Sequence, residues 1–191
     1  PSTVILRPSI VFGPEDDFFN RFAAMSAHPI SSIAPFLPAI GGGTTKLQPV
    51  YAGDVADANA TAVLREDAAG KIYALGGPSI YTFKEQYGFI GETIHRKRFA
   101  MPLPFFVATP MGLAFGTLFR HVWPLSSGIF GPPPITGDQV EMLKTDNVVS
   151  DGALTLADLG VTELETVEAI VPSYLYRFRP YGQYHQKSET T

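Results

Sequence analysis

The sequence contains no cysteine among its 191 residues. This absence excludes disulfide bonds, cysteine-ligated zinc and thiol catalysis together. Histidine is also sparse, and no two of the four histidines lie at the spacing that places two metal ligands on one helix face. They stand at His28, His95, His121 and His185. We therefore predict that the chain has no metal site.

Positive charge is scarce as well. The 14 Lys and Arg residues are outnumbered by 18 Asp and Glu residues, which gives a net charge of −4. No basic stripe is available to neutralise phosphates, so a nucleic-acid partner is not expected. Hydrophobic residues make up 45% of the chain, which is enough to bury a substantial core.

Familiar catalytic motifs are missing. The sequence has no G-x-S-x-G elbow, no H-E-x-x-H helix and no Walker loop. No tyrosine is followed four residues later by lysine; Tyr51, for example, is followed there by Val55. Such a lysine lowers the pKa of the tyrosine for proton transfer. We therefore predict no catalytic residue within this sequence.

The most informative segment that is present lies at the start. An apolar, β-branched run from Thr3 to Leu6 ends in Arg7-Pro8 and then reaches a Gly13-Pro14 turn. This pattern is typical of a strand buried on both faces of a parallel sheet. Ligands of open α/β sheets bind beyond the carboxyl ends of the strands, so the loop after Pro8 is a candidate wall for a flat ring. Because the strand follows directly from Pro1, we expect the chain to begin inside a domain.

The remainder of the chain alternates between predicted strands and helices. Predicted helices occupy 16–27, a segment capped by Asp54, 82–95 behind a capping box, a segment from near Pro104, a segment from Thr136, and 162–170 behind a second capping box. Predicted strands occupy 44–48, 71–75 and 96–101, the last with a solvated basic edge. We expect loops at 28–38 and 126–134 and a hairpin turn at Gly41–Gly43.

The segment Phe99–Phe119 carries no charge and has three interpretations. It could span a bilayer, lay an apolar face against a membrane or a large partner, or form a buried core helix. Proline and glycine interrupt it, and a helix starting near Pro104 would rise only about 22 Å, short of the ~30 Å of a hydrocarbon core. A spanning helix is therefore the least favoured interpretation.

Three stretches resemble a known family. Residues 4–16 resemble the strand and loop that follow the catalytic helix in extended and atypical short-chain dehydrogenases/reductases, and residues 48–56 resemble their second landmark. Together with residues 138–149, they resemble the nucleotide-binding accessory subunits of respiratory NADH:ubiquinone oxidoreductase (complex I). The resemblance implies an α/β fold, the C-terminal part of a Rossmann-type NAD(P)-binding fold with a smaller mixed α/β subdomain.

The resemblance also implies a domain organisation. Residues 1–75 would supply the last strands and helices of the Rossmann-type domain, interleaved with segments of the subdomain. Residues 76–175 would form mainly the subdomain, and residues 176–191 an extended tail. The N-terminal half of the fold, with its Gly-rich loop, would be absent.

The family's properties give the expected function. The protein would hold NADPH as a structural ligand and stabilise the junction of the peripheral and membrane arms, without turnover. Residues bordering the nicotinamide end or lying near it would be Pro8, Ser9, Ile10, Val11, Gln48, Pro49 and Val50. Its partners would be other complex I subunits, and membrane lipid through Phe99–Phe119. It would lie on the matrix side of the mitochondrial inner membrane, or on the cytoplasmic face of an alpha-proteobacterial membrane.

An alternative function remains open from sequence. A free atypical reductase or epimerase would use NAD(P)H on a small-molecule substrate. Sugar-nucleotide relatives commonly have an arginine near position 48, where this chain has the neutral Gln48. That difference argues against a sugar-nucleotide substrate. Gln48 could equally be an ordinary strand residue.

Overall fold

The computed structural model describes residues 3–28, 36–96, 98–114, 137–180 and 182. Its strands are β1 (Ile5–Pro8), β2 (Val11–Phe12), β3 (Phe36–Ile40), β4 (Lys46–Leu47), β5 (Val50–Tyr51), β6 (Ile72–Leu75), β7 (Tyr81–Thr82) and β8 (Phe99–Leu103). Its α-helices are α1 (Phe18–Ala27), α2 (Ala52–Leu64), α3 (Phe83–Thr93), α4 (residues 105–114), α5 (Gly137–Met142), α6 (Val167–Ile170) and α7 (Pro172–Leu175). The predicted loop at 126–134 lies outside the described residues.

Most strand pairing is parallel and joins distant parts of the chain. β1 pairs with β6, β2 with β5 and β3 with β8, all parallel, while β4 pairs antiparallel with β7. Parallel pairs require crossover connections, and here helices supply much of them. The expected α/β class is therefore confirmed.

The Gly41–Gly43 triplet does not form the predicted hairpin. Strand β3 before it pairs with β8, and β4 after it pairs with β7, so the two flanking strands never pair with each other. The triplet forms a short 3-10 turn in which all three glycines have positive φ, between 61° and 78°. The predicted loop at 28–38 was also wrong in its last part, because β3 begins at Phe36.

Of the two predicted capping boxes, the first is confirmed and the second is wrong. At the start of α3, the Thr82 hydroxyl accepts from the Glu85 amide, and the Glu85 carboxylate accepts from the Thr82 amide. The later helix begins only at Val167, where the Thr166 side chain is the cap. The Glu165 amide, which a box at 162–165 needs, donates instead to the Asp54 carboxylate at 3.1 Å.

That contact also changes the predicted role of Asp54. The residue lies within the first turn of α2, whose N-cap is Tyr51, so it does not cap the helix. Its side chain is 5% exposed and fastens the segment before α6 to α2. A residue chosen for local capping is therefore used for a contact between distant segments.

The core consists of three hydrophobic clusters. One packs α1 and α3 against the last helices, one surrounds β3, β4 and α3, and one lies between α2 and the β5 and β6 strands. The small residues Ala58 and Ala62 on α2 allow the close helix–sheet approach in the third cluster. Each cluster thus contains residues from both halves of the sequence.

Arg96 and Arg98 do not form a solvated edge, contrary to expectation. Arg96 donates to the Phe178 carbonyl, and Arg98 donates twice to the Ser26 carbonyl, at 3.0 and 2.8 Å. Burial, with the nearby positive charge of Arg96, lowers the pKa of Arg98. Arg179 likewise donates to the Thr93 carbonyl. These arginines tie the C-terminal segment and α1 to the end of α3.

The uncharged Phe99–Phe119 segment is described as far as residue 114, as β8 and α4. Ala108 is fully buried, whereas the side chains of Phe99 and Phe106 are 68% and 80% exposed. Within the described ranges, no helix combines the length and the apolar character needed to cross a membrane. The segment therefore has one face in the core and another that is apolar and open.

Candidate functional site

The predicted cofactor residues meet where β1, β2 and β5 come together. Beyond the end of β1, the Ser9 amide donates to the Leu75 carbonyl at 2.9 Å. One residue on, the Ile10 carbonyl accepts from the Val50 amide at 2.9 Å, and Val11 lies opposite Val50 in the β2–β5 pair. The structure thus brings the Pro8–Val11 and Gln48–Val50 segments together along one edge.

Residues 138–149, the third stretch that resembles the family, also contact this junction. The backbone carbonyl of Asn147 accepts hydrogen bonds from the Ser9 hydroxyl at 2.9 Å and from the backbone amide of Gln48 at 3.0 Å. The Asn147 amide in turn donates to the Lys46 carbonyl at 2.8 Å. Residues from 4–16, 48–56 and 138–149 are therefore joined by hydrogen bonds, although about 140 residues separate the first from the last.

Gln48 uses both ends of its side-chain amide within the protein. Its Nε2 donates to the Gly77 carbonyl at 2.9 Å, and its Oε1 accepts from the Val149 amide at 2.9 Å. A guanidinium has no acceptor and a carboxylate has no donor, so neither could make both bonds. Gln48 is thus a structural clamp between the loop after β6 and the loop after α5.

The glycines after β6 make room for this clamp. A Cβ at Gly77 would lie 1.8 Å from the Pro49 carbonyl oxygen, and one at Gly76 would lie 2.5 Å from the Gln48 side chain. Any side chain at these positions would therefore push the two loops apart. Pro49 itself is buried by this close approach.

A cavity of about 320 Å³ opens beside the junction. Its wall is largely aromatic and aliphatic and includes Phe18, Phe22, Leu47, Phe83, Tyr87 and Leu143. Of the seven predicted cofactor residues, Ile10 and Val11 line it. The phenylalanines of α1 divide between core and cavity: Phe19 is fully buried, whereas Phe18 and Phe22 line the cavity.

Sequence reasoning missed the polar residues of the cavity, which include Asp17 and Arg21. Arg21 is 15% exposed, and its guanidinium lies 3.5 Å from the carboxylate of Asp17, which is 86% exposed. The Arg21 Nε is buried and has no hydrogen-bond partner in the described part of the chain. The signal that the sequence offered was an arginine among the phenylalanines of α1, four residues after an aspartate.

Tyr87 places a hydroxyl at the cavity wall. Burial raises the pKa of this phenol far above its usual range, so it stays protonated, and it donates to the Pro38 carbonyl at 3.2 Å. A phenol with a raised pKa is a poor general base at neutral pH. Tyr87 is therefore unsuited to act as a general base. The mainly apolar wall can enclose an apolar group.

Comparison with known proteins finds several sequence relatives. The Arabidopsis thaliana protein named NADH dehydrogenase [ubiquinone] 1 alpha subcomplex subunit 9, mitochondrial, is 38% identical over 162 residues, 83% of this chain. The Rattus norvegicus protein of that name is 34% identical over 93% of the chain, and the Neurospora crassa NADH-ubiquinone oxidoreductase 40 kDa subunit is 26% identical over 96%. The chain is a homologue of these complex I subunits.

Coverage is unequal in this comparison. The chain spans 38% of the length of the Arabidopsis thaliana relative and 44% of both the Rattus norvegicus and the Neurospora crassa relatives. No protein-family model matches the chain. Among solved structures, that of gox2253 has a TM-score of 0.56 at 23% identity, covering 93% of this chain and 49% of that one. The α/β fold class implied by the resemblance is confirmed, and the fold is similar to that of gox2253.

Proposed function

We propose that the protein is an accessory subunit of complex I that holds NADPH as a structural ligand without turning over substrate. The observation that supports this proposal most directly is the homology to mitochondrial complex I subunits. It extends over 83% to 96% of the chain for the three relatives described. In this role it stabilises the junction of the peripheral and membrane arms, on the matrix side of the mitochondrial inner membrane. Other complex I subunits are its partners.

The junction of β1, β2 and β5 supports a bound nucleotide. The Pro8–Val11 loop follows the carboxyl end of a parallel strand, where ligands of open α/β sheets bind. The Gln48 clamp holds the neighbouring loops in fixed positions. In this proposal Pro8, Ser9, Ile10 and Val11 border the nicotinamide end, and Gln48, Pro49 and Val50 lie behind them. A ligand that binds only the folded state stabilises it by mass action, which is the role we assign to NADPH.

The open apolar face within residues 99–114 supports a place beside membrane-embedded partners. Phe99 and Phe106 are the most exposed aromatic side chains of the described part of this segment. Exposed apolar surface is typical of sites that contact other proteins or a membrane. We assign this face to other subunits and to adjacent lipid.

The decisive experiment uses the full-length native protein. It is extracted from its membranes in mild detergent and separated on a native gel, and the nucleotide released on denaturation is quantified. We expect co-migration with a large NADH-oxidising assembly and close to one NADPH per chain. A soluble monomer or dimer that exchanges its cofactor and oxidises NADPH with a small-molecule substrate contradicts the proposal and supports a free reductase.

The cofactor border has its own test. Val11 is partly exposed at the junction, so Val11→Trp should fill the space in front of the loop and lower the NADPH content of the purified protein several-fold. Val63→Trp, on the exposed side of α2, is the matched control and should leave the NADPH content unchanged. If the Val11 variant keeps its full NADPH content, Val11 does not border the cofactor. That result would not bear on complex I membership, which the native gel tests separately.

A further inference from the structure

Arg21 occupies an unusual environment for a cation. It lines a cavity whose walls are mainly aromatic and aliphatic, and its side chain is 15% exposed. Its one ion-pair partner among the described residues, Asp17, is 3.5 Å away and largely in solvent. Among the residues that the structure describes, the buried Nε has no hydrogen-bond partner. An arginine that is mostly buried and incompletely paired carries a desolvation cost that an anion in the cavity would offset.

The chemistry of the cavity selects the kind of anion. A guanidinium binds a carboxylate with two parallel hydrogen bonds. The wall also includes the polar residues Asp17, Gln139 and Asn147 and the phenol Tyr87, but most of it, with Phe18, Phe22 and Phe83, is apolar. A ligand that satisfies both parts has a charged head and an apolar body.

The volume of the cavity limits the size of this ligand. At roughly 30 Å³ for each water-sized volume, about 320 Å³ holds on the order of ten non-hydrogen atoms. A carboxylate with a chain of about eight carbons has this size. Longer chains would have to leave through the mouth of the cavity.

We propose that this cavity binds a medium-chain carboxylate, with its head on Arg21 and its chain against the aromatic wall. The site lies next to the proposed nicotinamide border and shares Ile10 and Val11 with it. It does not depend on membership of complex I, because Arg21 has no part in that assignment. The apolar body is sequestered from water in the same way as a core side chain.

The test is a calorimetric titration of the full-length protein with octanoate, 1-octanol and octylammonium. Octanoate should bind at least about tenfold more tightly than 1-octanol, since a hydrogen bond to a charged group adds this much affinity. Octylammonium should bind no better than 1-octanol, because its head repels Arg21. Equal affinity for all three ligands, or no octanoate binding at millimolar concentration, overturns the proposal.

Two variants locate the site. Arg21→Gln should reduce octanoate affinity to that of 1-octanol and leave 1-octanol unchanged, whereas Lys144→Gln, a matched change of an exposed cation outside the cavity wall, should alter neither. Met142→Trp, at an exposed position of the lining, should weaken both ligands. If Arg21→Gln does not fold, the affinity order of octanoate, 1-octanol and octylammonium, together with the effect of Met142→Trp, tests the proposal. Octanoate binding that survives Met142→Trp places the ligand elsewhere and overturns the proposal.

Discussion

At the scale of single residues, Gln48 shows what a neutral side-chain amide does at this position. Its side chain donates to the Gly77 carbonyl and accepts from the Val149 amide, and both bonds are 2.9 Å long. Sequence reasoning noted the missing charge and placed Gln48 near a ligand. It could not reveal the clamp, because Val149 lies 101 residues away in the chain.

Removing the clamp should destabilise the fold. In Gln48→Ala, a partly buried carbonyl and a partly buried amide lose their partner, which should cost about 1–3 kcal/mol of unfolding free energy. Urea denaturation of the full-length protein measures this change. The control is Asn59→Ala on α2, where an exposed side chain bonds only its own helix, and the cost should stay below about 0.5 kcal/mol. Equal effects of the two changes would contradict the clamp.

Asp54 gives a pH-dependent prediction. Burial raises the pKa of this carboxyl, the Glu165 amide opposes that shift, and the Glu165 and Asp57 carboxylates add to it. A group with a raised folded-state pKa binds protons more tightly in the folded state. Its stabilising contribution is therefore present below the unfolded pKa of about 3.9 and is lost as pH rises through the folded-state value.

Asp54→Asn removes the charge and keeps an oxygen to accept from Glu165. The variant should be more stable than the parent at pH 7, and this advantage should shrink as pH falls through the raised folded-state pKa of Asp54 and be gone below about 4. Thermal unfolding of both proteins between pH 3 and pH 7 measures the difference. If the variant is instead less stable at pH 7, the charged hydrogen bond to Glu165 outweighs the burial of the charge.

At the scale of elements, structure that depends on neighbouring residues could be predicted from the sequence. Contacts that the same residue types make with distant segments could not. The Thr82–Glu85 box depends only on residues three apart, and it forms as the sequence predicts. Residues 162–165 have the same pattern, yet the Glu165 amide goes to Asp54, 111 residues away. The glycine triplet similarly has the composition of a hairpin turn, but its flanking strands pair with β8 and β7.

The loop after β6 offers a test of close packing at this scale. Gly77→Ala would place a Cβ 1.8 Å from the Pro49 carbonyl oxygen, so one of the two loops must move, at a cost of about 2–3 kcal/mol or more. Gly88→Ala, inside α3 with no atom within 4 Å of the added Cβ, should stabilise by about 0.5–1 kcal/mol. Denaturant midpoints of both variants give the comparison. A tolerated Gly77→Ala would show that the loops can separate freely.

At the scale of the whole molecule, the fold class was accessible from sequence and the cavity was not. Strand-forming runs with helices between them predict an α/β fold from periodicity and turn residues alone. The cavity is assembled from α1, α3 and α5 and the strands β2, β3 and β4, so its lining has no contiguous signature. Arg21 therefore reads as an ordinary helix residue until the distant elements are placed around it.

The exposed face of α4 should matter for assembly and not for folding. Phe106 is 80% exposed, so Phe106→Ser removes little buried surface and should change the unfolding free energy by less than about 0.5 kcal/mol. If this face contacts membrane-embedded subunits, the fraction of full-length protein in the large assembly should fall several-fold, as read from native gels. Val63→Ser, at an 86% exposed position of α2, is the matched control and should assemble normally. Normal assembly of Phe106→Ser would place the contacts of this protein on another surface, because an aromatic anchor buried in an interface is among the side chains that cost most to remove.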